Sequence, residues 1–66
     1  MNKNNKMLCT NPCIVKGISG LKRQAFVNEH FKLIKTVRNN KIIQDVIGNR
    51  YTVDNNSFEN NFKAIG

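Results

Sequence analysis

Residues 31–53 read FKLIKTVRNNKIIQDVIGNRYTV, and this stretch decides the fold of the chain. It is rich in β-branched and aromatic residues, in short runs typical of strands. Asn39-Asn40 and Gly48-Asn49 separate the runs, and residues of these types tolerate positive φ in two-residue hairpin loops. The stretch therefore predicts a three-stranded antiparallel meander with strands over about 31–38, 41–47 and 50–53.

Two-residue loops also fix which residues face each other across the meander. They place Arg38 opposite Lys41, and directly opposed residues share one face of a sheet. The face predicted to form the core carries Phe31, Leu33, Val37, Ile42, Val46, Tyr51 and Val53. The other face carries Lys32, Ile34, Thr36, Arg38, Lys41, Ile43, Asp45, Arg50 and Thr52. Lys35 and Gln44 fall opposite one another on the core face, where we expect an edge or a β-bulge.

The N-terminal half predicts a tail, a strand and one ambiguous segment. Residues 1–6 are polar and predict a disordered tail before a single domain over 7–66. Residues 13–18 favour a strand, which Pro12 places either at a sheet edge or at the start of a strand. Residues 19–30 leave a short helix and a long loop both open, because Ser19 could cap a helix that places Val27 and Phe31 on one face. The fold class is mainly β.

The net charge of +7, from 11 basic and four acidic residues, indicates a polyanion partner. The alternative is simple solubility, because Lys and Asn are both abundant in this chain. The candidate binding residues, for nucleic acid or an acidic protein surface, are Lys22, Arg23, Lys32, Arg38, Lys41 and Arg50. No apolar run approaches the roughly 18 residues of a membrane span, and the polar start does not resemble a signal peptide. We therefore expect a cytoplasmic protein with no membrane partner.

Catalytic, metal and cofactor sites are not predicted. Cys9 and Cys13 have only His30 as a third ligand for a metal that needs four, so both cysteines are interpreted as small buried residues. The four acids form no recognisable acid–base pair, and His30 alone is expected near the surface. The chain is therefore expected not to be an enzyme.

Residues 25–34, AFVNEHFKLI, resemble the hydrophobic-x-x-Gly-Lys-x-Tyr-x-Val-Ile opening of small SH3-like β-barrel proteins of phages and prophages. Residues 43–59 are similar to the end of those proteins, with a strand, an Asp-x-x-Gly-Asn hairpin from Asp45, another strand, and a short turn closing on Phe58-Glu59. An early strand at residues 8–10 also fits. Asn28 replaces the usual Gly, which requires a positive φ, and the segment between Cys9 and Ala25 is longer than expected.

The resemblance implies a small SH3-like barrel of phage or mobile-element origin. Together with the charge, it leads us to expect a basic binding module that associates with nucleic acid or nucleic-acid-processing machinery in the host cell cytoplasm. The alternative is a phage-encoded inhibitor that binds and blocks a host or anti-phage defence protein.

Overall fold

A computed structural model describes residues 5–65 as one seven-stranded antiparallel sheet and one short helix. The elements are β1 (Lys6–Cys9), β2 (Cys13–Gly17), β3 (Lys22–Ala25), β4 (His30–Val37), β5 (Asn40–Asp45), β6 (Arg50–Asp54), α1 (Asn55–Asn61) and β7 (Phe62–Ala64). The strand order is β3-β2-β6-β5-β4-β1-β7, and the sheet curls into a half-barrel. The predicted mainly β fold is confirmed, and its shape is consistent with a small β barrel.

The predicted disordered tail lies only partly within the described residues. Residues 1–4 are outside them. Lys6 begins β1, and the carbonyl of Asn5 accepts a hydrogen bond of 2.8 Å from the N–H of Leu33. The tail prediction is therefore wrong for Asn5 and Lys6, because both pair with the neighbouring strand.

The three strands of the meander are confirmed as β4, β5 and β6, but their register is wrong. The first hairpin turns at Arg38-Asn39, so that Val37 faces Asn40. The second loop spans residues 46–49 and leaves Gln44 opposite Arg50. This longer loop is stabilised because the side chain of Asp45 accepts hydrogen bonds from backbone N–H groups within it.

The change of register exchanges residues between the two faces of β5. Ile43, which was predicted to face outward, is fully buried opposite Tyr51. Val46, which was predicted in the core, is 82% exposed, and Ile42 is only half-buried. Val37 is also exposed, whereas Leu33 packs against the core. The buried core consists of Met7, Cys9, Val15, Ala25, Phe31, Ile43, Tyr51, Val53, Phe58 and Phe62.

A β-bulge lies where one was expected. The register of β4 against β5 shifts between Leu33 and Lys35, so Leu33 faces Ile43 and Lys35 faces Ile42. Successive residues of a strand point to opposite sides, and the bulge therefore turns Lys35 away from the core.

Residues 19–30 form neither a helix nor a long loop. They contain the tight turn after β2, the strand β3, and a second turn in which Asn28 has a φ of +71°, a conformation that Asn tolerates. The first turn closes with a 2.6 Å hydrogen bond from the N–H of Gly17 to the carbonyl of Leu21. A Cβ at Gly17 would lie 3.0 Å from that carbonyl oxygen, which favours glycine there.

The only helix of the described residues follows β6, where the resemblance implied a short turn. Asp54 caps α1 by accepting a 3.1 Å hydrogen bond from the N–H of Ser57. Phe58 stacks on Phe62 at 5.3 Å between ring centroids. Phe62 is buried and begins β7, so it anchors the C-terminal segment to the core.

Candidate functional site

The side of the sheet that faces away from the core, the outer face, carries two rows of opposed side chains. In the first row Lys32 faces Gln44, which faces Arg50. The second row crosses five strands and contains Lys35, Ile42, Thr52, Lys16 and Lys22. Adjacent strands lie about 4.8 Å apart, so the second row spans about 19 Å.

Five exposed cations on these rows form what we call the outer basic cluster, namely Lys16, Lys22, Lys32, Lys35 and Arg50. None of the five makes an ion pair with another residue in the range 5–65. Lys6 of β1 lies opposite Lys32 and extends the first row. The outer face is therefore a continuous basic surface.

The four acids leave this cluster largely unopposed. Glu29 and Asp45 both pair with Arg23, and Asp45 is buried on the core side rather than outward as predicted. Glu59 is exposed on α1. Asp54 shares the outer side of β6 but lies beyond Thr52, and its side chain caps α1.

The structure brings together three of the six predicted binding residues. Lys22, Lys32 and Arg50 belong to the outer basic cluster. Arg38 lies in the β4–β5 turn, outside both rows. Lys41 lies opposite Thr36 rather than Arg38, so the predicted pair of opposed like charges does not exist.

Lys41 and Arg23 are directed away from the outer face. Lys41 shares the core side with Val53, and its Nζ donates to Thr36 Oγ1 at 2.9 Å and lies 5.7 Å from the Phe58 ring centroid. Arg23 lies opposite the buried Val15.

The sequence analysis missed Lys16 and Lys35. The alternation around Val15 in the predicted strand 13–18 could have indicated Lys16. The side of the sheet on which Lys35 lies depends on the β-bulge, and the sequence pattern does not show to which side the bulge turns it.

Arg23 forms an inner ion cluster with Glu29, Asp45 and Tyr51. Its guanidinium donates to both oxygens of Glu29, at 3.1 and 2.5 Å, and lies 3.5 Å from Asp45 Oδ2. Its Nε donates to the Tyr51 hydroxyl at 3.0 Å, while the guanidinium carbon lies 4.8 Å from the centroid of that ring. The hydrogen bonds from Arg23 lower the pKa of Glu29, and those to Glu29 raise the pKa of Arg23. Arg23 and Glu29 therefore stabilise each other in their charged forms.

Asp45 is the buried member of the inner ion cluster. Its Oδ2 accepts from the Tyr51 hydroxyl at 2.8 Å, and its Oδ1 accepts from the N–H groups of Ile47, Gly48 and Asn49 at 2.9–3.0 Å. Burial acts to raise the pKa of Asp45, but these hydrogen bonds outweigh burial and hold the pKa below its ordinary value. Asp45 therefore fixes the β5–β6 loop to the core.

The prediction that both cysteines are buried is confirmed for Cys9, whereas Cys13 is half-buried. Cys9 is fully buried, and Cys13 packs against the core. Burial raises the pKa of Cys9 and raises that of Cys13 to about 11, so both thiols are protonated near neutral pH. His30 is exposed. Across residues 5–65, no three side chains of His, Cys, Asp or Glu come together to hold a metal ion.

No helix in the described part of the chain is long and apolar enough to cross a membrane. Compared with known proteins, the chain matches no family model, no curated protein and no solved structure.

Proposed function

We propose that this chain is a small non-enzymatic binding module that associates with nucleic acid, or with nucleic-acid-processing machinery, through its outer basic cluster. The observation that supports this function is the placement of five exposed cations on two rows of one sheet face, without an acidic partner among the described residues. An origin in a phage or mobile element, in the SH3-like barrel group that the sequence resembles, and action in the host cytoplasm are part of the same proposal.

The outer basic cluster suits contacts to phosphates rather than to bases. Four of the five Phe and Tyr side chains are buried in the core, and Phe26 lies in the turn between β3 and β4. The outer face of the described strands therefore offers neither Phe nor Tyr on which an unpaired base could stack. Phosphate contacts carry little sequence information, so the expected binding is weakly sequence-specific and strongly dependent on salt.

The proposal is tested by titrating labelled duplex DNA, duplex RNA and single strands with the full chain at several salt concentrations. If all five cations meet phosphates of duplex DNA, the slope of log K against log salt is about −4 to −5. Lys16→Glu and Lys32→Glu should each weaken binding and reduce the slope by about one unit.

Arg38→Glu is the matched control, since it makes the same change of net charge outside both rows. Equal losses from Arg38→Glu and from Lys32→Glu would show that only net charge matters and would contradict the assignment of the face. Absence of binding to every nucleic acid at low salt would reject nucleic acid as the ligand. It would favour the alternative in which the same cations cover an acidic surface of a host or defence protein.

A further inference from the structure

A groove lies at one end of the half-barrel, between the β2–β3 turn and the β5–β6 loop. Its volume is about 630 Å³, and Gly17, Arg23 and Tyr51 are among the residues that line it. The two loops are joined by a 3.1 Å hydrogen bond from the N–H of Ile18 to the carbonyl of Arg50. The groove is therefore part of the folded sheet and not a gap between independent segments.

Large aliphatic side chains are exposed on both loops. Ile18 and Leu21 line the groove and are 61% and 78% exposed. Val46 and Ile47, on the loop that forms the other side, are each 82% exposed. Clusters of exposed apolar side chains on a small domain frequently mark interaction sites.

The β5–β6 loop is held in the conformation that exposes its aliphatic residues. Besides the three hydrogen bonds to the Asp45 carboxylate, the N–H of Asp45 donates to the carbonyl of Asn49, and the N–H of Gly48 donates to the carbonyl of Asp45. A loop fixed before binding loses less conformational entropy when a partner orders it. Val46 and Ile47 are thus presented on a preorganised loop.

The charge around the groove is positive. Lys22 and Arg50 line it, whereas the carboxylates of Glu29 and Asp45 are turned to Arg23 and are not among its lining residues. A second copy of this chain would bring the same cations against them, and like charges at an interface are unfavourable. A complementary occupant combines apolar side chains with carboxylates.

We infer that this groove is a docking site for a protein partner that presents a short segment in which Asp or Glu residues alternate with large apolar residues. The apolar side chains of the segment pack against Ile18 and Leu21, and its carboxylates meet Lys22 and Arg50. This inference does not depend on nucleic-acid binding by the outer basic cluster, although Lys22 and Arg50 belong to both surfaces.

The experiment uses the full chain and a labelled synthetic peptide in which Asp and Glu alternate with Leu and Phe. Fluorescence anisotropy measures binding, and amide chemical shifts locate it. We expect the largest shifts at Ile18, Leu21, Asn49 and Arg50. Leu21→Ser and Ile18→Ser should each weaken binding about tenfold or more, the size of effect that marks an interface hot spot.

Two control variants distinguish binding at this groove from binding at the outer basic cluster and from non-specific hydrophobic binding. Ile14→Ser removes an aliphatic side chain that is 61% exposed outside the groove, and it should leave peptide binding unchanged. Lys32→Glu changes the outer basic cluster but not the groove, and it should weaken nucleic-acid binding far more than peptide binding. A peptide with Lys in place of the acids should not bind.

Several outcomes would overturn the inference. These are absence of peptide binding, equal losses with Ile14→Ser and Leu21→Ser, and chemical shifts centred away from the two loops. Binding to anionic phosphatidylserine vesicles that depends on Ile18 and Leu21, without peptide binding, would assign the same side chains to a lipid surface instead.

Discussion

Replacing Asp45 by Ala should remove most of the stability of this domain. The change leaves three backbone N–H groups in the β5–β6 loop and the hydroxyl of Tyr51 without their acceptor. A buried donor that loses its partner costs about 1–3 kcal/mol, although water can reach part of an exposed loop. We therefore expect a loss of about 3–5 kcal/mol, because several donors lose their acceptor at once. A domain of 66 residues has a total stability of about 3–10 kcal/mol.

Asp45→Asn separates the loop hydrogen bonds of Asp45 from its other contacts. It keeps an oxygen for the loop N–H groups, but it loses the ionic contact to Arg23 and the acceptor of the Tyr51 hydroxyl, so we expect a smaller cost of about 1–2 kcal/mol. Asp54→Ala is the control, since it removes a helix cap at an exposed position and should cost about 1 kcal/mol. Urea unfolding followed by Tyr51 fluorescence measures all three variants. A cost for Asp45→Ala no greater than that for Asp54→Ala would refute the role given to Asp45.

The inner ion cluster also predicts how stability depends on pH. Glu29 and Asp45 have folded-state pKa values below their ordinary values of 4.5 and 3.8. Their contribution is fully present above those values and is lost as the pH falls through the lower folded-state values. Unfolding free energy should therefore decline below about pH 4, and Asp45→Asn should decline less steeply. Parallel declines for wild type and Asp45→Asn would contradict this account.

Two further predictions test the register and the first turn. Ile43→Ala should cost about 2–5 kcal/mol in unfolding free energy because Ile43 is fully buried, whereas Ile42→Ala should cost clearly less. Urea unfolding that shows the reverse order would favour the register predicted from two-residue loops. Arg38→Asn should raise the unfolding free energy by up to about 1 kcal/mol, because Arg38 has a φ of +56° that Asn tolerates better. An unchanged or lower melting temperature would contradict this expectation.

The class of fold could be predicted from the sequence because strand-forming runs and turn residues agree over 31–53. The register of the strands could not be predicted, because it depends on hydrogen bonds that the pattern of strand-forming runs does not show. Gly48-Asn49 was interpreted as a complete two-residue loop, but the carboxylate of Asp45 gathers the N–H groups of Ile47, Gly48 and Asn49 into a longer one. This local hydrogen bonding lengthens the loop, and the longer loop exchanges Ile42 for Ile43 in the core.

The positive charge of the candidate site was predictable from the sequence, but only some of the residues that form the site were. The excess of cations was evident from composition, and Lys32 and Arg50 were assigned to the correct side. Arg23 was not separable from Lys22 by sequence, since the two are adjacent and both basic. Its inward direction follows from the pairing of β3 with β2, which a short segment without clear periodicity did not reveal.

The open ends of the sheet have a consequence for self-association. In the described part of the chain β3 and β7 form the two edges, and exposed edge strands invite pairing with another molecule and the growth of aggregates. Both edges are short, at four and three residues, and they carry the exposed cations Lys22 and Lys63. Two molecules that approach edge to edge therefore bring like charges together over very few hydrogen bonds. The fold can leave its barrel open without becoming a template for fibrils.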